Sequence, residues 1–194
     1  VLFIVRHGRT VANAAGLLQG RVDNPLDGHG RKQAEQIAKA LGHVDLVVSS
    51  PLQRAIQTAE PLGQHPRIDE RWIELDYGEW DSRPISDIAP HEWTTWREDA
   101  SFSPPGGESL FELDQRVAAA CDELISQAAE LNVAVFTHVS PIKSAIAWAL
   151  GVSEQISWRL NVAQAQITRI AIRGGRPAVT AFNETAHLKT SSPE

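Results

Sequence analysis

The sequence predicts an α/β fold, a three-layer α/β/α arrangement with a mostly parallel central sheet. Two observations carry that expectation. Three short runs, Val1–Val5, Val44–Val48 and Val133–Phe136, are apolar almost throughout, as strands buried on both faces require. Stretches with helical spacing alternate with them, the pattern of a parallel sheet covered by helices. A length of 194 residues suits one good core better than two. Residues 1–194 therefore read as a single domain, with a cap- or lid-like insertion around 82–107.

Each element has a local reason. The first apolar run ends in Arg6-His7-Gly8, a charged pair at the strand end followed by a glycine that permits a sharp turn or a close approach. Thr10, Asn13, Gly16 and Gln19-Gly20-Arg21 then form a loop with room for one helical turn. Over Gly28–Leu41, Ala34, Ile37, Ala38 and Leu41 recur at helical spacing, and Gly42 supplies the stop. Val44–Ser50 is the second strand. Ser50 is placed to cap a helix with Pro51 at its first position, running past Arg54 and Thr58 to about Glu60. Residues 66–80 read as irregular or strand-like, around Arg67-Ile68-Asp69 and Trp72-Ile73-Glu74-Leu75.

Between Ser82 and Gly107 lie Pro84, Pro90, Pro104 and Pro105, so short helices and turns are expected there, with Trp93 and Trp96 as packing or ligand contacts. Ser109-Leu110-Phe111-Glu112 has the form of a capping box. It opens a helix with Leu110, Leu113, Val117, Cys121, Leu124 and Ala128 on one stripe. Val133–Thr137 is the third buried strand, and Ser140-Pro141 starts a helix to Leu150 and Gly151. Asn161–Arg173 and Ala178–Phe182 pair as a hairpin about Gly174-Gly175, and the polar tail from Thr185 is expected to be loose.

Net charge is −6 and the pI about 5.6, which points away from nucleic-acid or acidic-membrane partners. Any anion site must be a local concentration of positive charge. The single cysteine, Cys121, excludes an internal disulfide and a cysteine-based zinc site. Its place on the helical stripe reads as packing. No apolar run approaches a membrane span and no signal peptide is visible, so the cytoplasm is the expected compartment. The chain starts inside a strand without methionine, as a trimmed N-terminus would.

Chemistry collects where the apolar strands end. The first ends in Arg6-His7, the second in Ser49-Ser50 with Arg54 just beyond, the third in Thr137-His138 with Ser140-Pro141 opening a helix. In an open parallel sheet these ends share one edge, beside helix N-termini that attract anions. Helical side chains lean toward the N-terminus, so Arg54 can reach back to that edge. Two arginines and two histidines around one crevice suit a phosphoryl group, which needs fixed positive charge on its oxygens and a nucleophile in line. Metal ligation ranks well below phosphate, because the arginines raise the cost of a dication and the carboxylates show no ligand spacing. No metal or other cofactor is expected. His29, His43, His65, His91 and His187 read as surface residues.

Arg6-His7-Gly8-Arg9-Thr10 with Asn13 resembles the signature of the histidine phosphatase superfamily, the phosphoglycerate mutase-like family. Gln19-Gly20-Arg21 with Pro25-Leu26 and Gly30, Gln33 and Ala34 is similar to its next block. Ser49-Ser50-Pro51-Leu52 with Arg54-Ala55 and Gln57-Thr58-Ala59 resembles the second-arginine block. Glu74-Leu75-Asp76-Tyr77-Gly78-Glu79-Trp80 resembles the acid-bearing loop, and Pro105-Gly106-Gly107-Glu108-Ser109 the lead into a long helix. Thr137-His138 with Pro141-Ile142-Lys143 resembles the second-histidine block.

The resemblance implies a phosphoglycerate mutase-like fold and a set of roles. His7 is the implied nucleophile, forming a phosphohistidine; it must be neutral to attack, and a hydrogen bond on its other ring nitrogen would orient it. Arg6, Arg54 and His138 would hold the phosphoryl oxygens, with Asn13 adding a neutral hydrogen bond and Gln19, Gly20 and Val139 further contacts. Glu74 would protonate the leaving oxygen and then take a proton from water, with burial beside Trp72 and Trp80 tuning it; an ordinary surface carboxylate is its plainer reading. Three positions depart from the family pattern. Val139 stands where glycine is common, though its amide could still face the phosphate. Arg9 replaces an acidic or amide residue, and Asp81-Ser82 replaces a frequent acidic-Gly pair.

The implied activity is a metal-independent phosphomonoesterase acting on a small phosphorylated metabolite. Phosphatases for sugar phosphates, phosphoglycerate derivatives and ribazole phosphate are the similar branches, and generic acid phosphatase turnover is compatible. The alternatives are a phosphoglycerate mutase and a non-catalytic relative that binds phosphorylated ligands. Compact length favours the phosphatase. A homodimer is left open. Substrate choice is expected to rest on Arg83, Trp93, Trp96 and Arg97, or on Arg9, Gln19 and Arg21, whose guanidinium groups could accept a second anion or simply face solvent.

Overall fold

The computed structural model describes residues 1–188, and the remainder of the tail expected to be loose lies outside the described residues. In chain order the elements are β1 (Leu2–Arg6), α1 (Val11–Ala14), α2 (Gly28–Leu41), β2 (Leu46–Ser49), α3 (Gln53–Ala59), β3 (Arg67–Ile68), α4 (Pro90–Glu98), α5 (Leu110–Glu130), β4 (Val133–Thr137), α6 (Val139–Leu150), β5 (Ile167–Arg173) and β6 (Arg176–Glu184). One six-stranded sheet has the order β3-β2-β4-β1-β5-β6. β1, β2, β3 and β4 run parallel, while β5 and β6 close one side antiparallel.

Alternation along the strands explains why the runs had to be apolar without a break. Leu2, Ile4, Val48, Val133 and Val135 face α5 and α6, meeting Leu113, Val117, Cys121, Leu124, Ile142 and Ala145. Their neighbours Phe3, Val5, Val47, Ala134 and Phe136 face the other way, onto Ile37 and Leu41 of α2 and Ala55 and Ala59 of α3. Both faces are covered, giving three layers. Burial of a large apolar side chain is worth about 1.5–3 kcal/mol, so this double-faced core is the main source of stability for the sheet edge that carries the polar residues.

The helix caps follow the sequence in most places. Ser109 and Glu112 form the capping box of α5, with Ser109 Oγ accepting from the Glu112 amide at 3.2 Å and Glu112 Oε2 accepting from the Ser109 amide at 2.9 Å. Gly42 ends α2 at φ 66°, a left-handed value that glycine adopts without strain.

One expectation is corrected. Ser50 does not cap α3, which starts at Gln53 with Leu52 at the cap position and no side-chain cap; Ser50 is taken up by His138, described below. Residues 66–80 combine the two-residue strand β3 with irregular chain, in which Asp69 nucleates a tight 3-10 turn through Trp72 and the indole is buried. In the 82–107 segment α4 is its one α-helix, and Pro90 occupies the tolerated first turn.

One close contact fixes the start of α2 beneath the first strand end. A Cβ on Gly8 would lie 2.5 Å from the Gly30 carbonyl oxygen, and one on Gly30 would collide with the Arg9 backbone. The same junction is tied by the Asp27 amide donating to the Arg9 carbonyl at 3.0 Å and the Arg9 amide to Gln33 Oε1 at 2.8 Å. Both partners are backbone, so a methyl group cannot be accommodated by side-chain motion. Gly30→Ala is expected to lower the unfolding free energy by about 1–3 kcal/mol, measured by urea denaturation; an unchanged midpoint would show that the junction yields.

Candidate active site

Register places the chemistry-bearing residues side by side. β4 lies between β2 and β1, with Thr137 opposite Arg6 and Phe136 opposite Ser49. The residue after each strand end is held to the central strand: the His7 amide donates to the Thr137 carbonyl at 3.0 Å and the Ser50 amide to the Phe136 carbonyl at 2.9 Å. His7, Ser50 and His138 therefore emerge at one edge, in the crevice outside the strands' carboxyl ends.

His7 is 3% exposed. Its Nδ1 lies 2.7 Å from the Gly8 carbonyl oxygen. A carbonyl only accepts, so Nδ1 carries the proton and Nε2 presents a lone pair. Burial, then Arg54 and Arg6, push the pKa of His7 well below its ordinary 6.5, so the ring is neutral at neutral pH. Gly8 is itself pinned, its amide donating to Thr58 Oγ1 on α3 at 3.0 Å.

Arg54 is fully buried. Its guanidinium donates to the Gly20 carbonyl at 2.6 Å, the Val22 carbonyl at 2.8 Å and His138 Nδ1 at 3.2 Å. The last bond sets the second histidine's tautomer. Guanidinium nitrogens only donate, so His138 Nδ1 accepts and Nε2 bears the proton, which goes to Ser50 Oγ at 2.7 Å. Desolvation lowers the Arg54 pKa to about 10, still charged at neutral pH. Burial and Arg54 likewise hold His138 neutral. The two imidazoles sit 5.1 Å apart, centroid to centroid.

Arg6 donates once, to the Val162 carbonyl at 2.7 Å, and its buried Nε has no partner. Gln19 accepts from Thr10 Oγ1 at 2.8 Å while its buried Nε2 is also unpartnered. Buried donors left without acceptors are costly, and an anion would satisfy them. Asn13 Oδ1 is used within α1's capping box, accepting from the Thr10 amide at 3.2 Å.

Glu74, 3% exposed, is no surface carboxylate. It accepts from the amides of Val139 at 3.0 Å, Ser140 at 3.1 Å and Leu75 at 2.8 Å. Its partners are thus backbone amides, two of them in the first turn of α6. Arg116 of α5 braces the loop, donating to the carbonyls of Arg71, Ile73 and Glu74 while paired with Glu108 at 2.7 Å.

Several expectations change at this point. The Val139 amide serves Glu74 and does not stand free for phosphate. The Gly20 amide donates to Asp81 Oδ1 at 2.9 Å and its carbonyl accepts from Arg54, so Gly20 acts by holding Arg54. Asp81 also accepts from the amides of Arg21 and Val22. Ser82 takes φ 66°, so the backbone shape natural to glycine persists there despite the serine. Arg9 pairs with Asp27, and Arg21 with Asp76 and Glu108. Of the five outlying histidines, His187 is half-buried, with Nε2 2.9 Å from the Ala165 carbonyl, and the others are exposed. Arg116 was missed, as was the pairing of Ser50 with His138; neither has a local signal. Among the described residues no three His, Cys, Asp or Glu side chains group as metal ligands would, and no helix is long and apolar enough to cross a membrane.

The family model described as histidine phosphatase superfamily (branch 1) matches residues 2–185. The chain belongs to this superfamily. A bifunctional protein of Mycobacterium tuberculosis is 31% identical across 96% of the chain, which spans about half of that protein, 54% of its length. Among solved structures, a phosphoserine phosphatase variant from Entamoeba histolytica in complex with phosphoserine superposes with a TM-score of 0.90 at 26% identity, covering 97% of this chain and 98% of that one. A mycobacterial glucosyl-3-phosphoglycerate phosphatase complexed with VO3 gives 0.86 at 31% identity, covering 95% and 98%. This histidine phosphatase fold places the implied residues Arg6, His7, Arg54, Glu74 and His138 in one buried neighbourhood.

Neutral buried histidines tie folding to pH. The unfolded chain protonates them near 6.5, whereas the folded values lie well below. As pH falls through 6.5 the unfolded state takes up protons first, so stability is full above that pH and declines below it. Urea melts from pH 7.5 to 5.5 are expected to show this decline, with a shallower slope in His7→Asn. Equal slopes in the two proteins would contradict a neutral His7.

Proposed function

We propose that this histidine phosphatase-family chain is a metal-independent phosphomonoesterase that works through a phosphohistidine on His7. The observation that carries the reading is the fixed tautomer: Nδ1–H on the Gly8 carbonyl leaves a neutral Nε2 lone pair in a buried site flanked by Arg6 and Arg54. In-line attack by that lone pair forms the N–P bond as the ester P–O bond breaks. Glu74, as the acid, gives its proton to the departing oxygen. Water then attacks phosphorus, Glu74 takes its proton, and cleavage of the N–P bond returns His7 neutral.

Charge on the phosphoryl oxygens is met by Arg6 through its unpartnered Nε and by the two N–H bonds of Arg54 not already donated. Asn13 retains its amide N–H donors for the same purpose, and Gln19 its buried Nε2. His138 acts by keeping Arg54 in place, and reaches phosphate itself only by exchanging its bond to Ser50. Since Arg6 and Arg54 already bring positive charge into the pocket, a divalent cation would be repelled there. The substrates named for the similar structures, phosphoserine and glucosyl-3-phosphoglycerate, support a small phosphorylated metabolite as substrate. The segment 82–107 serves as the cap over it, in a single domain working in the cytoplasm.

Rapid acid-free quenching during turnover of a phosphate ester should trap acid-labile phosphate on the wild type and none on His7→Ala, which should retain ligand binding. Product formation with no trapped phosphate would sink the covalent route. Glu74→Gln should lower kcat by about 10²–10⁴, with the larger loss on alkyl esters, whose oxygens need the proton, than on p-nitrophenyl phosphate. Equal losses on both would remove Glu74 from that role.

A further inference from the structure

A cavity of about 170 Å³ adjoins the Glu74 side of the site, walled by Trp93, Trp96, Trp158, Tyr77 and Leu110, with Lys143 among its lining residues. Val139 and Ser140 also line it, and their amides are the ones that hold Glu74. A general acid faces the leaving oxygen, so whatever leaves must pass into the space beside its cradle. We propose that this cavity receives the leaving alcohol, and that Lys143 makes the enzyme select esters whose alcohol has a flat apolar body bearing a carboxylate or similar anion. The proposal rests on the phosphomonoesterase reading above.

Three features of the wall define that ligand. First, the aromatic faces form a fixed slot: Trp93 and Trp96 stack at 5.5 Å and 19°, and Trp158 stands edge-on to Trp96 at 5.3 Å and 83°. Flat rings packed this way suit a planar guest better than a polyhydroxylated one, whose hydroxyls would lose water against indole carbon. Second, the wall's unmet groups are donors. The Nε1 atoms of Trp96 and Trp158 are buried without a partner. Third, Lys143 is half-buried and forms no hydrogen bond or ion pair among the described residues, and no carboxylate lines the cavity. Unpartnered N–H groups and an ammonium call for an acceptor-rich anion. They disfavour a leaving group that carries its own ammonium.

Burial lowers the Lys143 pKa, with Glu74 opposing the shift, which sets the ammonium toward the Glu74 side of the cavity. Of the arginines first expected to select substrate, Arg9 and Arg21 are ion-paired and Arg83 donates to the Asp87 carbonyl at 3.0 Å, while Arg97 lies over the ring of the wall residue Trp158 at 5.5 Å.

Phenyl, 3-carboxyphenyl and 3-(aminomethyl)phenyl phosphate separate the possibilities. In the wild type kcat/KM should favour the carboxyphenyl over the phenyl ester by about ten- to a hundredfold, as one charge-assisted bond allows, mainly through KM, with the aminomethyl ester poorest. Lys143→Met should abolish the carboxyphenyl-over-phenyl preference, whatever its effect on phenyl phosphate turnover itself, and Lys143→Arg should keep it. An unchanged carboxyphenyl-to-phenyl ratio in Lys143→Met would overturn the proposal while leaving the phosphomonoesterase intact. Absence of turnover on all three esters would take both readings down together. Should Lys143→Met fail to fold, inhibition of the wild type decides: 3-hydroxybenzoate should compete at lower concentration than phenol and quench indole fluorescence, and the reverse order refutes the assignment.

Discussion

The site depends on Arg54. This guanidinium is fully buried, yet no carboxylate among the described residues is in direct contact with it. It spans three separate pieces of chain, taking the carbonyls of Gly20 and Val22 and the Nδ1 of His138 while it sits on α3. Its bond to His138 decides which nitrogen of that ring holds a proton, and so which one Ser50 meets. Through Gly20 and Val22 it fixes the loop whose amides Asp81 collects. Removing it would release the histidine, the loop and the field on His7 at once.

A buried cation without a direct ion pair is expensive, and Arg54 is one among the described residues, with Glu74, Asp23 and Asp81 acting on it only through space. Arg6 likewise has carbonyl contact and an orphan Nε but no ion pair. Elsewhere the arginines are treated conventionally: Arg71 shares Asp69 and Glu123, Arg116 meets Glu108, and Arg169 meets Glu184. The contrast is confined to the sheet edge, where the double-faced apolar core supplies the stability that this arrangement spends. A phosphoryl dianion would discharge the imbalance. Burial, and then the same positive field, keeps both histidines neutral and leaves the His7 Nε2 lone pair free.

The strands and long helices were legible because each is specified by its own periodicity: the α5 stripe from Leu110 to Ala128 is buried as spaced. Arg6, His7, Arg54 and His138 were legible because parallel topology brings strand ends together whatever the loops do. Contacts between distant segments left no such trace. Nothing near Ser50 indicates that His138 will claim its hydroxyl, and nothing near Arg116 indicates three carbonyls of the loop at 71–74. Val139 stands where glycine is common in the family pattern, and the position contributes an amide in the first turn of α6, which any residue other than proline provides. Ser82 is the more instructive case, since the serine takes a left-handed φ of 66°, the backbone that glycine adopts without strain.

Helix N-termini were expected to bind the substrate's anion, and the structure assigns them otherwise. The first-turn amides of α6 belong to Glu74. The Gln53 amide at the start of α3 donates to Asp23 at 2.7 Å, and the Gly30 amide of α2 to Asp27 at 2.8 Å. The three longer helices that begin near the site, α2, α3 and α6, thus give these amides to the protein's own carboxylates, while the four-residue α1 is capped by the Thr10 hydroxyl. Two kinds of group meet here: guanidinium groups carry full charge, whereas the α6 amides hold the Glu74 carboxylate. The strand-to-helix junction from His138 to Ser140 touches both, His138 through Arg54 and the Val139 and Ser140 amides through Glu74, and so fixes the two relative to each other without any dedicated element.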